Sequence, residues 1–153
     1  MGLNMYLYKK HYVKNWDHYH NDERFDIKVK KGGKNYKKIT TSNIKYIIEE
    51  VADWRKFNAL HNWFVVNCQD GKDDCKEYFV SQDKLDELLQ ILLRIDNNHD
   101  LAEELLPSTD GFFFGGVDYD EYYFDCIKDT IEVLQKLLFD WDDEAYIIYR
   151  SSW

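Results

Sequence analysis

Residues 43–67, NIKYIIEEVADWRKFNALHNWFVVN, decide whether this chain is built mainly around helices or around strands. Ile44, Ile47, Ile48 and Val51 recur at the three- and four-residue intervals of an α-helix, and Val65 and Val66 extend the same face. Thr41 or Ser42 stands just before the run, where an N-cap belongs. The spacing therefore predicts one long helix over 43–67 that packs its apolar face on a sheet. On that wheel Arg55, Asn58 and Asn62 fall in the middle of the apolar face, three and four residues apart, with Trp54 and His61 at its edge. Buried without partners, such groups cost ~1–3 kcal/mol each. They must form a satisfied network inside the protein or line a cavity that holds water or ligand. An arginine, two amides and an indole suit a planar anionic ligand: guanidinium for phosphate, amides for base or ribose edges, indole for stacking.

Outward from this segment, MYLYKKHYV (5–13) alternates as a strand does. RFDIKVKKGGKNYKKI (24–39) reads as a hairpin, with Phe25, Ile27 and Val29 alternating and Gly32-Gly33 at the turn. QDGKDDCKE (69–77) is a loop and EYFVS (77–81) a short strand. Ser81 caps a helix, QDKLDELLQILLRI, whose Leu85, Leu88, Leu89 and Leu92 share a face. A short helix, LAEELL, ends at Pro107. GFFFGG (111–116) is expected as a buried strand or aromatic turn, and Asp118 as the cap of a last helix running to Phe139. AYIIYRSSW (145–153) closes the chain as a strand, with Ile147 and Tyr149 facing opposite to Tyr146, Ile148 and Arg150. If Arg150 points toward the long helix, it becomes a second cation for the same cleft. The expected architecture is α+β: a single domain over 1–153, with three main helices on an antiparallel sheet and a basic region at about 1–40. There is no regular βαβ alternation, which argues against a doubly wound parallel sheet.

The composition fits a soluble globular chain: 153 residues, 44% hydrophobic and 32% charged. The aromatic content is high, with 12 Tyr, 9 Phe and 5 Trp. A formal net charge of −9 argues against general nucleic-acid binding, which depends on neutralising phosphates. Cys68, Cys75 and Cys126 are odd in number and lack zinc-finger spacing, so reduced thiols in a cytoplasm are expected. Lys9 and Lys10 interrupt the apolar start, against a signal peptide, and no apolar run approaches the ~20 residues of a membrane span. Tyr6 stands where N-myristoylation after Gly2 wants Ser or Thr.

Among possible sites, Phe113, Tyr119 and Tyr123 are expected as core filling or as an aromatic wall for a ligand or partner. The glycines around Phe113 have neither the Walker nor the dinucleotide spacing. His18 and His20 lack a third metal ligand. The stretch from Asp96 resembles a calcium loop but has Leu101 and Pro107 where Gly and Glu are needed. A Cys75–His61 pair lacks an evident oxyanion hole. No catalytic set, metal or cofactor is expected.

The segments MGLNMYLYKK, WRKFNALHNWF, LLPSTDGFFFGG, YDEYY and YIIYRSSW are similar to a widespread group of small proteins of bacteriophages and prophages, over nearly the whole chain. The resemblance implies a phage or mobile-element origin and a host-cytoplasm location, and brings no catalytic residues with it. The leading expectation is a non-enzymatic protein binding a small nucleotide-like anion through Arg55, Asn58, His61, Asn62, Trp54, Phe113, Tyr119, Tyr123 and Arg150, so as to sequester a host signal. The alternatives are an inhibitor that binds a host defence protein through an acidic, aromatic surface, and a small hydrolase using His61.

Overall fold

A computed structural model describes residues 2–111 and 114–153. The chain runs through β1 (Asn4–Tyr12), two short strands β2 (Lys30–Lys31) and β3 (Lys34–Asn35), β4 (Tyr46–Arg55), α1 (Asn58–Cys68) and β5 (Tyr78–Phe79). It continues through α2 (Gln82–Asn97), the single turn α3 (Ala102–Leu105), α4 (Glu121–Phe139) and β6 (Ala145–Ser152). Four strands form an antiparallel sheet in the order β4-β1-β6-β5. The fold is α+β, with α1, α2 and α4 as the main helices.

Alternation in the two central strands fixes which face is covered. Met5 and Leu7 of β1 and Ile147, Tyr149 and Ser151 of β6 are buried, while their neighbours turn to the other side. The buried side meets α2 through Leu85, Leu88, Leu92 and Ile95, and α4 through Ile127, Ile131 and Leu134. Ser81 caps α2 by accepting from the Lys84 N–H at 3.3 Å. Asp120, not Asp118, caps α4, accepting from the Tyr123 N–H at 3.0 Å. The two aspartates offer the same chemistry, and the helix begins at the later one.

The single helix expected over 43–67 does not exist. Residues 46–55 are the strand β4, and only Asn58–Cys68 are helical. Ile47, Ile48 and Val51 fit a helical face, but they fit this strand as well because its period is interrupted. The β1–β4 register slips between Leu7 and Tyr8, so that Ala52 opposes Leu7 and Glu50 opposes Tyr8, with Val51 as the extra residue. The bulge resets the alternation, and Ile48 and Tyr46 stand exposed on the outer face. Long-range pairing with β1 decides the conformation over local spacing. Strand and helix are separated at Lys56, whose φ of 56° is left-handed and whose N–H donates to the Leu3 carbonyl at 2.8 Å. Residues 41–43 form a 3-10 turn, and Thr40 at its start makes no side-chain cap.

The expected hairpin at 24–39 shrinks to β2 and β3 around Gly32-Gly33, both at positive φ as a two-residue turn requires. Phe25, Ile27 and Val29 form no strand; Phe25 instead lies edge-on to His11, 6.4 Å between ring centres.

β6 lies between β1 and β5 and contributes Ile147 and Tyr149 to the core. Deleting residues 147–153 should therefore split the sheet and abolish soluble expression. A soluble truncated chain with an unchanged thermal melt by circular dichroism contradicts this.

Candidate functional site

The residues singled out in the sequence divide among three places. The first is a clamp on the loop between α3 and α4. Asn58, the first residue of α1, is only 3% exposed. Its amide donates to the carbonyls of Phe114 (3.2 Å) and Gly116 (2.7 Å), and its oxygen accepts from the Thr109 N–H at 2.8 Å. Tyr119 accepts from the Ser108 N–H at 3.1 Å, and Tyr123 donates to the Leu106 carbonyl at 2.9 Å. Burial raises the Tyr123 phenol well above its ordinary value, consistent with a hydroxyl used only as a neutral donor. Gly115 has φ +89°, and a Cβ there would meet the Lys56 Cβ at 3.0 Å, so the loop sits tightly on the β4–α1 junction. Phe113 lies outside the described residues. The amide of Asn58 is thus committed to protein partners rather than to a ligand.

The second place is a buried relay. His61, 1% exposed, places Nδ1 2.7 Å from the Tyr149 hydroxyl and Nε2 3.0 Å from Asp73 Oδ2. A carboxylate only accepts, so Nε2 donates to Asp73 Oδ2, and Nδ1 pairs with the Tyr149 hydroxyl. Trp153 Nε1 donates to the other Asp73 oxygen at 3.1 Å. Desolvation, reinforced by the Asp73 charge, holds the Tyr149 phenol well above its usual range. Tyr149 is fully buried and stacks on Phe64 at 4.0 Å. His61 is 1% exposed and Tyr149 fully buried, so a substrate would have to displace packed core to reach either group. Burial pushes the Cys68 thiol up to about 11.

Trp54 belongs to the core, where its Nε1 donates to Thr130 Oγ1 at 2.9 Å. The expected stack of Arg55, Asn58 and Asn62 does not form. Arg55 is on β4 and exposed, Asn58 is buried at the start of α1, and Asn62 is half-buried one turn on. Arg150 likewise points away from the helices, because it follows the fully buried Tyr149 on an alternating strand. It cannot serve as a second cation beside Asn58 or His61.

Arg55 and Arg150 belong to the third place, the outer face of the sheet, which no helix among the described residues covers. Cross-strand pairs arrange it in rows: Asp53, Tyr6 and Arg150; then Glu50, Tyr8, Ile148 and Phe79; then Ile48, Lys10 and Tyr146; then Tyr46 and Tyr12. Tyr6 stacks on Tyr8 at 5.8 Å, Tyr12 meets Tyr46 at 5.7 Å, and the Lys10 ammonium sits 4.4 Å from the Tyr46 ring centre. Glu77 lies 3.7 Å from Lys10. Ile48, Phe79 and Tyr146 are each more than half exposed. A shallow cleft of about 400 Å³ opens between Lys10, Tyr12, Tyr46, Tyr146 and Ile148. The aromatic set on this face was not singled out from the sequence, although the alternation of Tyr6, Tyr8, Lys10 and Tyr12 against Met5 and Leu7 was the available signal.

Among the described residues no three His, Cys, Asp or Glu side chains converge on a metal-ion site, and no helix is long and apolar enough to cross a membrane. No known family matches the chain, and no curated protein or solved structure matches it either.

Asn58→Ala removes three hydrogen bonds at once, leaving the Thr109 N–H and two carbonyls without their partner. At ~1–3 kcal/mol for a buried group left unpaired, a urea melt should show a loss of at least about 2 kcal/mol. A variant as stable as the wild type contradicts the clamp.

Proposed function

We propose that this chain is a non-enzymatic accessory protein of a phage or prophage that acts in the host cytoplasm by binding a host protein, with the aromatic face of its sheet as the contact surface. The observation that carries this reading is the helix-free face bearing Tyr6, Tyr8, Tyr12, Tyr46, Phe79 and Tyr146. Clustered, exposed aromatics with polar groups among them are the composition of a protein–protein interface core. A single-stranded nucleic-acid platform also uses aromatics on a sheet, but it surrounds them with excess cations. Here Lys10, Arg55 and Arg150 are balanced by Glu50, Asp53 and Glu77. With a chain charge of −9, a partner presenting a basic surface is favoured. Interference with a host defence protein is the role that a phage origin suggests.

The reading as a nucleotide sequestering protein has less support. The cleft beside Gly115 and Gly116 has a volume of about 150 Å³ and sets Asp118 and Asp120 against Lys56. Ligand sites are typically ~300–1,000 Å³, and two carboxylates oppose an anion. The hydrolase reading needs a substrate to reach His61 or Tyr149, and both are closed off from solvent.

The test is capture of a protein from bacterial lysate on the immobilised chain, compared with the double variant Tyr8→Ala/Tyr146→Ala. Capture of one defined protein should fall by at least about tenfold with the thermal melt nearly unchanged, as expected when interface aromatics are truncated. Equal capture by both proteins contradicts the reading. So does a thermal shift above about 5 °C with a single nucleotide class.

A further inference from the structure

Rows of aromatics are one part of this surface, and the border of the sheet beside them is another. β4 is an edge strand of ten residues, and among the described residues no strand pairs with its outer side. No other backbone group in the described residues bonds to residues 46–55 beyond the β1 ladder. An edge of this length presents a row of N–H and C=O groups over ~30 Å, of which the Arg55 carbonyl already accepts from the Tyr122 hydroxyl.

Beside that edge, α4 leaves a groove. One section, of about 480 Å³, lies between β4 and the C-terminal half of α4, and a second, of about 350 Å³, continues it toward Tyr122. The two share Val51 and Val133, so they form one channel along the strand. Its floor is apolar, from Val51, Cys126, Val133 and Leu137. Its walls carry Glu49, Glu50, Asp53, Asp129, Glu132 and Asp140 against only Lys9, Arg55 and Lys136. The bulge at Val51 bends the strand at the middle of the channel.

We infer that this edge and groove are a docking site for an extended, lysine- or arginine-bearing segment of a partner protein, which adds to β4 as a fifth strand. The segment's main chain meets the open edge. Its alternate side chains fall on the Val51–Val133–Leu137 floor, and its cations meet the carboxylate walls. A second copy of this chain is the wrong occupant. Two β4 edges laid antiparallel bring Glu49, Glu50 and Asp53 of one copy against the same carboxylates of the other, and like charges across a strand pair are destabilising. This inference rests on the protein-binding reading above and names the part of the partner that the sheet border takes.

The probe is a capped peptide of about eight alternating Lys and Val residues, long enough for one strand, with a Glu–Val peptide as its opposite. Titration into the isotopically labelled chain should shift the amide resonances of residues 46–55 saturably. Binding should weaken by at least about tenfold in Asp129→Lys/Glu132→Lys, whose altered side chains are exposed on α4. It should also weaken in the wild-type protein when salt rises from about 0.05 to 0.5 M, a check that needs no variant to fold. No saturable binding up to about 1 mM, equal binding of the Glu–Val peptide, or shifts confined to other elements overturns the inference. Tyr8→Ala/Tyr146→Ala should keep its affinity for the peptide. Loss of peptide binding in that variant puts the peptide on the aromatic face and overturns the edge assignment. Lysate capture unaffected by the same variant, with peptide binding intact, counts against the aromatic-face reading alone.

Discussion

The hydrogen bond between the Tyr149 hydroxyl and His61 Nδ1 is the constraint on which the rest of the structure depends. Tyr149 is on β6, one of the two interior strands of the sheet, and His61 is on α1, so the bond ties the sheet to its first helix inside the core. Asp73 holds the other side of the ring and also takes Trp153, which fastens the end of the chain to the loop after α1. The ring nitrogens of His61, the Tyr149 hydroxyl and both Asp73 oxygens each have a partner, and that is the condition for burying such groups at all. The same condition governs Asn58, which makes three of its four possible hydrogen bonds to the loop at Thr109, Phe114 and Gly116.

Parts of this arrangement are legible in the sequence, and the parts that are not share a physical cause. β1, β6, α2 and the core face of α4 follow from local signals: alternation around Leu7 and Tyr149, the Ser81 cap, and the leucines of α2. β4 is not legible in this way, because its period is broken by the bulge and its conformation is set by β1, more than thirty residues earlier in the chain. That one misassignment propagates. On a helix Arg55 shares a face with Asn58, whereas at the end of a strand it stands on the far side of the sheet from it. Arg150 goes the same way by the parity of β6. The polar residues Asn58, His61, Tyr119 and Tyr123 are conspicuous in the sequence for their apolar neighbours, and all four do take part in internal networks. Asp73 carries no such signal, since it lies in an irregular loop where no period marks it.

Asn58 and His61 are held in internal networks, and the outer face of the sheet and the border of β4 are open to other molecules. The fold places its helices on one side of the sheet, so the other side keeps its tyrosines, and the crossing of α4 beneath β4 leaves an acidic channel at the border. The two surfaces meet at β4, whose Glu50 and Asp53 belong to both. A partner with a basic strand and an apolar flank fits both chemistries at once.

The central claim is that the buried polar residues hold the fold together through their mutual hydrogen bonds. A double-mutant cycle of His61→Ala and Tyr149→Phe, read by urea melts, tests it most directly. Each single variant should lose about 1–3 kcal/mol or more, and the double variant should lose clearly less than the sum, because the two groups act through one bond. Additive losses, or single variants as stable as the wild type, would contradict it.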